Sequence, residues 1–375
     1  MINRIADQLF NSPNILTLDI GTRYMKVMQF DQGGGLPTLH GAAIGSVPPG
    51  SIENGIISNK PAVASALSKI LDKEGIRGNR VYLAAGGPSL VLRWIEMPVM
   101  PEDDLREALK FEARKYLPFP VDSCVLDFKI LHRKARQSEE TLRLLLIAAP
   151  RFLVDSRFET AELAGLKPIG MDVEPLAVLR ALEHNRTGTE LAWGEHPQAI
   201  LIFGSAGTDF YVIKDADLEF ARRIPIGGGS LSRIITDGKE PNITEDDEYE
   251  LLRRITFDQD GQIMAEGVSS ETASALKSEM TCLDQEIQRS CSYYQSLFPE
   301  GSYEGVLTHV AIGGGLAAIP NFNTHLAREL DLSVDIADPL ARINVRNLPA
   351  NSELLNGRRT SFIVSAGLFL GQIGV

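Results

Sequence analysis

The residues best suited to chemistry are one aspartate and two glycine turns that occur in duplicate. LDIGTRYMKV (18–27) and LIFGSAGTDFYV (201–212) read as the same strand–turn–strand element used twice. In each, strand formers reach a small-residue turn at Gly21 or Gly204 and run straight back into β-rich sequence. A tight glycine turn lets backbone N–H groups approach an anion closely. Two such turns facing each other across a cleft would cradle the phosphates of one nucleotide. The copies differ at one place: Asp19 stands two residues before Gly21, whereas Ile202 stands two before Gly204.

Other glycine clusters carry less. IPIGGG and VAIGGG, ending at Gly229 and Gly315, each put a glycine run at the C-terminal end of a strand, where α/β folds bind ligands. Neither is a Walker loop, since no Lys-Ser or Lys-Thr follows at the required spacing, and neither is a G-x-G-x-x-G fingerprint. Gly33–Gly35 reads as an ordinary hairpin loop and Gly86–Gly87 as structural. Three cysteines, Cys124, Cys282 and Cys291, have no metal-ligand spacing and read as small buried apolar residues of a reducing compartment.

These groups must be held by a two-lobed α/β chain. The length of 375 residues suggests two or three domains, and 44% hydrophobic with 23% charged residues is ordinary globular usage. A net charge of −12, with the densest basic group at Arg133, Lys134 and Arg136, argues against a nucleic-acid surface. No run of 18 or more apolar residues and no signal peptide are found, so a cytoplasmic location is expected. A short amphipathic pattern at 1–10 reads as a frayed terminus.

Strands are expected at 15–19, 25–30, 39–47, 80–85, 90–97, 124–131, 141–149, 167–173, from 199 through the second hairpin, at 218–223 and at 310–315. Helices are expected at 61–74, 102–117, 152–164, 174–182, 244–255, 271–298, 321–330 and 362–371. The long helix at 271–298 carries a stripe of Leu276, Met280, Leu283, Ile287, Cys291 and Tyr294. The segment 224–231 reads as a loop, and the polar segment 184–197 as the crossing between lobes.

The order of these parts resembles the actin-like ATPase superfamily: hairpin with Asp19, connecting helix after Asp172, second hairpin, long helix, then a glycine turn before a helix. Five segments narrow the resemblance: IENGIISN (52–59), FEARKYLPFPVDSCVLDFKIL (111–131), GMDVEPLAVLRAL (170–182), LDQEIQRSCSYYQ (283–295) and SAGLFLG (365–371). Together they look like the PilM-like type IV pilus assembly proteins, over about residues 14–371.

The resemblance implies an actin-like ATPase fold with an FtsA-type inserted subdomain. Domain 1A would take 1–42 and 150–195, subdomain 1C 43–149, and domain 2 residues 196–360, with 2B at about 238–300. A terminal helix at 361–375 would pack back on 1A. It also implies ATP with Mg²⁺ as ligands. Asp19 would face the metal through water, Gly21, Thr22 and Arg23 would serve the phosphates, and Lys26 would reach them as a point charge. Gly204, Ser205 and Ala206 would form the opposite turn, with Gly227 and Gly228 bordering it. Glu250, Glu286 and Ser290 would lie toward ribose and purine, and Gly313 and Gly314 would floor the adenosine site.

The implied role is a nucleotide-binding scaffold at the cytoplasmic face of an inner membrane. It would bind the N-terminal peptide of a PilN-like membrane protein between 1A and 1C, meet the membrane only through partners and possess a capacity for self-association. Members that hydrolyse ATP carry a second aspartate at the position of Ile202. Losing one preorganised group of this kind costs about 10²–10³ in rate, so weak or absent hydrolysis is expected. A nucleotide-free scaffold, an FtsA-like filament protein and a sugar kinase are the alternatives. The chain stops at Val375 without the linker and amphipathic helix of FtsA-type proteins, and no catalytic aspartate with a polar sugar pocket is legible.

Overall fold

The computed structural model describes residues 15–31, 37–131, 141–184, 196–238, 248–258, 261–345, 348 and 357–372. The pattern at 1–10, Gly33–Gly35, the basic group at 133–136 and most of the expected crossing lie outside the described residues.

The first hairpin joins β1 (Ile15–Ile20) to β2 (Tyr24–Asp31), and β3 (Thr38–Ser46) extends the meander. ILTLDI in β1 is buried along its whole length, as expected of a strand covered on both faces. Short strands β4 (Ile52–Glu53) and β5 (Ile56–Ile57) lead to α1 (Lys60–Lys73). The Asn59 side chain accepts from the Ala62 N–H and a proline sits in the first turn, so this helix start is specified locally. β6 (Arg80–Ala85) then returns parallel to β1.

Next come β7 (Val91–Pro98), α2 (Glu102–Glu112), β8 (Cys124–Ile130) and β9 (Thr141–Pro150). They form a separate sheet, ordered β7-β9-β8, on which Leu105 and Leu109 of α2 pack against Ile95, Leu144 and Leu146. By sheet membership β7, β8 and β9 stand apart, whereas α1 and β6, which lie within 43–149, are built into the first lobe. α3 (Arg151–Leu163) and β10 (Lys167–Val173) complete a sheet ordered β10-β6-β1-β2-β3. α4 (Glu174–His184) leads out of it.

The second lobe repeats the plan. β11 (Gln198–Phe203), β12 (Thr208–Lys214) and β13 (Asp217–Ile224) form the meander. α5 (Gly228–Asp237), α6 (Glu248–Leu252), the hairpin β14 (Ile255–Phe257) with β15 (Ile263–Ala265) and α7 (Ser270–Ser296) follow. β16 (His309–Gly314), α8 (Phe322–Leu330) and β17 (Ser333–Ile336) close a sheet ordered β13-β12-β11-β16-β17. Each lobe is thus an antiparallel meander whose first strand continues into two parallel strands.

The last helix, α9 (Ile363–Gln372), is apolar all round and buried from Ile363 to Leu370, which suits a helix enclosed on every side. With α4 it fills the seam between the sheets, where Leu176, Val178, Val364 and Leu368 share one core with Ala84, Ile200, Tyr211 and Ala311. Phe369 stacks on Phe30 of the first sheet at 4.1 Å between ring centroids.

Several expected elements change. α2 stops at Glu112 and a 3-10 turn, Ala113–Lys115, follows, leaving Tyr116 exposed. The supposed loop at 224–231 contains the start of α5. Within the expected helix at 244–255, the described helix is Glu248–Leu252 and Ile255 already belongs to a strand. Cys124 and Cys291 are buried, but Cys282 is exposed on α7.

Candidate functional site

Both hairpin turns open on one cleft between the sheets. Asp19, 4% exposed at the end of β1, lies directly across the ladder from Lys26, and its Oδ2 accepts from Lys26 Nζ at 2.8 Å. The Gly21 N–H donates to the Tyr24 carbonyl at 3.0 Å, so Gly21 shapes the turn and does not offer a donor to a ligand. Thr22 at the tip is exposed, and Arg23 stands beside it in the lining.

The opposite turn is built more tightly. The Gly204 N–H closes it on the Gly207 carbonyl at 2.9 Å. The start of α5 is drawn under it: the Gly228 and Gly229 N–H groups donate to the Gly204 and Ser205 carbonyls, both at 2.9 Å. A Cβ on Gly227 would stand 2.4 Å from the Gly204 oxygen. A Cβ on Gly229 would stand 2.7 Å from Ser205 Oγ and 2.9 Å from its carbonyl oxygen, so Gly227 and Gly229 are required by this close approach. Gly204, Ser205, Ala206 and Gly228 line the cleft, whereas Gly227 lies beneath them.

At the third glycine turn, Gly314 has φ +87° and a Cβ there would meet the Phe203 carbonyl oxygen at 2.3 Å, so only glycine fits. Gly314 lines the cleft, but Gly313 is covered: a Cβ on it would lie 3.1 Å from Ile202 Cδ1 and 3.4 Å from Ile363 Cδ1. Ile202 thus faces the cleft over an apolar patch. Glu250, Glu286 and Ser290 are not in the lining. Glu250 pairs with Arg253 at 3.8 Å, Glu286 with Arg222 at 2.9 Å, and buried Ser290 donates to the Glu286 carbonyl at 2.7 Å.

The lining also holds residues beyond those just placed. Glu174, the first residue of α4, lies against Gly86, where a Cβ would stand 1.9 Å from its Cδ. Gly86 and Gly87, read as structural, therefore border the site. Burial, with the charges of Asp19 and Asp209, raises the Glu174 carboxyl to about 7, against the opposing pull of Arg157 and Lys26. Arg157 of α3 is buried and donates to the Gly55 carbonyl at 2.8 Å. Its burial lowers the guanidinium below its usual range, against Glu174 and Asp19. Asp209 pairs with Arg223, and Arg358 completes the basic set. The available signals were a carboxylate directly after a strand end and an arginine on the apolar face of α3 beside Leu153, Thr160 and Ala161.

Five cations (Arg23, Lys26, Arg157, Arg223, Arg358) thus face three carboxylates (Asp19, Glu174, Asp209) in a chain of net charge −12. The excess of cations beside two small-residue turns suits a polyanion such as nucleotide phosphate. Among the described residues no group of three or more His, Cys, Asp or Glu is placed to hold a metal directly. The donors fit a metal that keeps its waters and is held mainly by ligand phosphates, as Mg²⁺ is, with Asp19 the carboxylate nearest the first turn.

A duplicated sheet with two facing turns of this type defines an actin-like ATPase fold. Residues 17–373 match the family model of the type IV pilus assembly protein PilM, and the chain belongs to that family. A solved PilM-PilN type IV pilus biogenesis complex matches at 24% identity over 96% of this chain and 98% of that chain, with TM-score 0.79. The ethanolamine utilization protein EutJ from Carboxydothermus hydrogenoformans matches at 14% identity over 96% and 90%, with TM-score 0.52. Among the described residues no helix is long and apolar enough to cross a membrane.

Proposed function

We propose that this chain is a nucleotide-binding scaffold of a type IV pilus assembly complex that hydrolyses ATP slowly or not at all. The observation that carries the reading is the cation-rich cleft between two phosphate-type turns in an acidic chain. Thr22, Arg23, Ser205 and Ala206 would embrace the phosphates and Lys26 would neutralise them. Asp19 would orient metal-bound water. Ile202 supplies no carboxylate from the second lobe, which supports binding without efficient turnover. Calorimetric titration of Mg-ATP, with phosphate release followed in parallel, tests this. Lys26→Ala is expected to weaken binding at least about tenfold, the worth of one charge-assisted contact, while wild type releases little phosphate. Rapid release by wild type would refute the scaffold reading.

The solved relative is a complex with PilN, and we assign a PilN-like N-terminal peptide as partner here, at an inner-membrane surface reached through that partner. The inserted unit presents apolar side chains suited to such a segment: Phe111 is 69% exposed, and Tyr116 and Val125 are also exposed. Phe111→Ser should leave folding intact and weaken capture of a synthetic peptide about tenfold, the order of one lost aromatic anchor. Unchanged peptide affinity would place the contact elsewhere.

A further inference from the structure

The two lobes can be superposed strand by strand through their ladders. Across the first sheet, Ile44 of β3 faces Lys26 of β2, which faces Asp19 of β1. Across the second, Arg223 of β13 faces Asp209 of β12, which faces Ile202 of β11. The acid–base pair is present in both rows, displaced outward by one strand in the second. Where the first lobe has an isoleucine the second has a guanidinium, and where the first has a metal-facing carboxylate the second has an isoleucine.

The Arg223–Asp209 pair has an unusual geometry. Both Asp209 oxygens accept from the same nitrogen, Nη1, at 2.9 Å each. The fork of an arginine bidentate to a carboxylate would use two nitrogens. The other edge of the guanidinium lies along the phosphate-type turn: a Cβ on Gly207 would come within 3.3 Å of both Nε and Nη2. Arg223 and Asp209 both line the cleft. A guanidinium held by one corner, with its planar edge beside an anion-cradling turn, is placed to form two parallel N–H···O bonds to a phosphate.

Resting on the nucleotide reading above, we propose that Arg223 contacts the nucleotide phosphates from the second lobe, exchanging Asp209 for phosphate oxygens on binding. Asp209 is then the partner that phosphate displaces from the arginine. Because the second lobe brings a fixed cation to the cleft and an isoleucine to the place that matches Asp19, ATP binding here depends on Arg223 more than on the divalent ion.

Titration calorimetry with ATP on the full chain, once with Mg²⁺ and once with EDTA, tests this on wild type, Arg223→Gln and Asp209→Asn. Wild type should lose less than about tenfold in affinity on metal removal. Arg223→Gln should bind about 10–100-fold more weakly in both conditions, the order of a charge-assisted pair of hydrogen bonds. Asp209→Asn should bind as tightly as wild type or more tightly, since the arginine no longer leaves a carboxylate. Melting curves without nucleotide check the fold of each variant, and the wild-type and Asp209→Asn arms decide the matter if Arg223→Gln does not fold. Arg223→Gln binding within twofold of wild type, or Asp209→Asn as weak as Arg223→Gln, overturns the proposal and leaves a structural ion pair. So does wild-type binding abolished by EDTA. If wild type binds ATP in neither condition, the nucleotide reading itself fails and this inference goes with it.

Discussion

Gly367→Ala should destabilise the protein by about 3 kcal/mol, although alanine is the better helix former by about 1 kcal/mol. Gly367 lies in the middle of α9, where the helix crosses α4. A Cβ built there would stand 1.7 Å from the Ala177 carbonyl oxygen and 2.4 Å from its carbon. These are backbone atoms of a helix and cannot swing aside, so the two helices would have to part. Parting them loosens the core shared by Leu176, Val178, Val364 and Leu368 and the strands of both lobes. The damage therefore reaches the strands under the cleft as well as the seam. Urea unfolding provides the measurement, with Gly371→Ala as the internal comparison. At Gly371 the nearest atom, at 2.6 Å, is the Nε of Arg180, a flexible side chain that can retreat, so its cost should stay below about 0.5 kcal/mol. Equal, small effects at both positions would refute the packing argument.

Glu174→Gln should stabilise the protein at pH 8 by about 2–3 kcal/mol and have little effect at pH 5. The sign follows from the direction of the shift. The folded-state value is raised from 4.5 to about 7, so between these limits the native state binds more protons than the unfolded chain. Stability then falls as pH rises through this window. Below about pH 4.5 both states are protonated and the residue costs nothing. Above about pH 7 the full cost of the ionised carboxylate is present, on the order of 3 kcal/mol for a shift of this size. Glutamine removes that cost and keeps the shape. Gly86→Ala should produce a similar flattening, since its methyl would displace the Glu174 carboxyl by way of a movable side chain. Denaturation profiles of the three proteins at pH 5, 6, 7 and 8 check this. Wild type and Glu174→Gln running parallel across that range would show that the carboxylate does not titrate there. Near neutral pH, a protonated Glu174 also leaves the cleft more positive, which favours an anionic ligand.

The architecture was legible where pattern and turn chemistry agreed. The two hairpins announced themselves through β-rich runs broken by a single small-residue turn, and their register is what the alternation implies, with Asp19 against Lys26 and Ile202 against Asp209. The stripe of α7 was visible because it extends over about five turns, and each of its six named residues is buried. α5 was not visible, since a helix that begins GGGS contradicts helix propensity. Its glycines answer to the carbonyls of Gly204 and Ser205, a tertiary demand that no local window contains. β17 is four residues long and β14 three, too short for any periodicity to show. Within the site, Asp19 and the turns could be found because their chemistry is local. Glu174, Arg157 and Arg223 could not, because each matters only through residues that other elements bring alongside. Glu250, Glu286 and Ser290 came from the family resemblance alone, and here their side chains or neighbours satisfy one another away from the cleft.

The position of α9 has a consequence for how the chain is made. The Ser365 hydroxyl donates to the Lys26 carbonyl at 3.4 Å across a separation of 339 positions. Met28, Phe30, Leu39 and Ala42 of the first lobe are covered by a cluster that includes Phe362, Ala366 and Phe369. From Val173, the end of the last strand of the first sheet, a ribosome adding about 5–20 residues per second needs roughly 10–40 s to reach Ser365. For this interval the first lobe, although its strands are complete, has an uncovered apolar underside. The first lobe therefore stays incomplete until α9 emerges, and α9 acts as the closing wedge for both halves of the molecule.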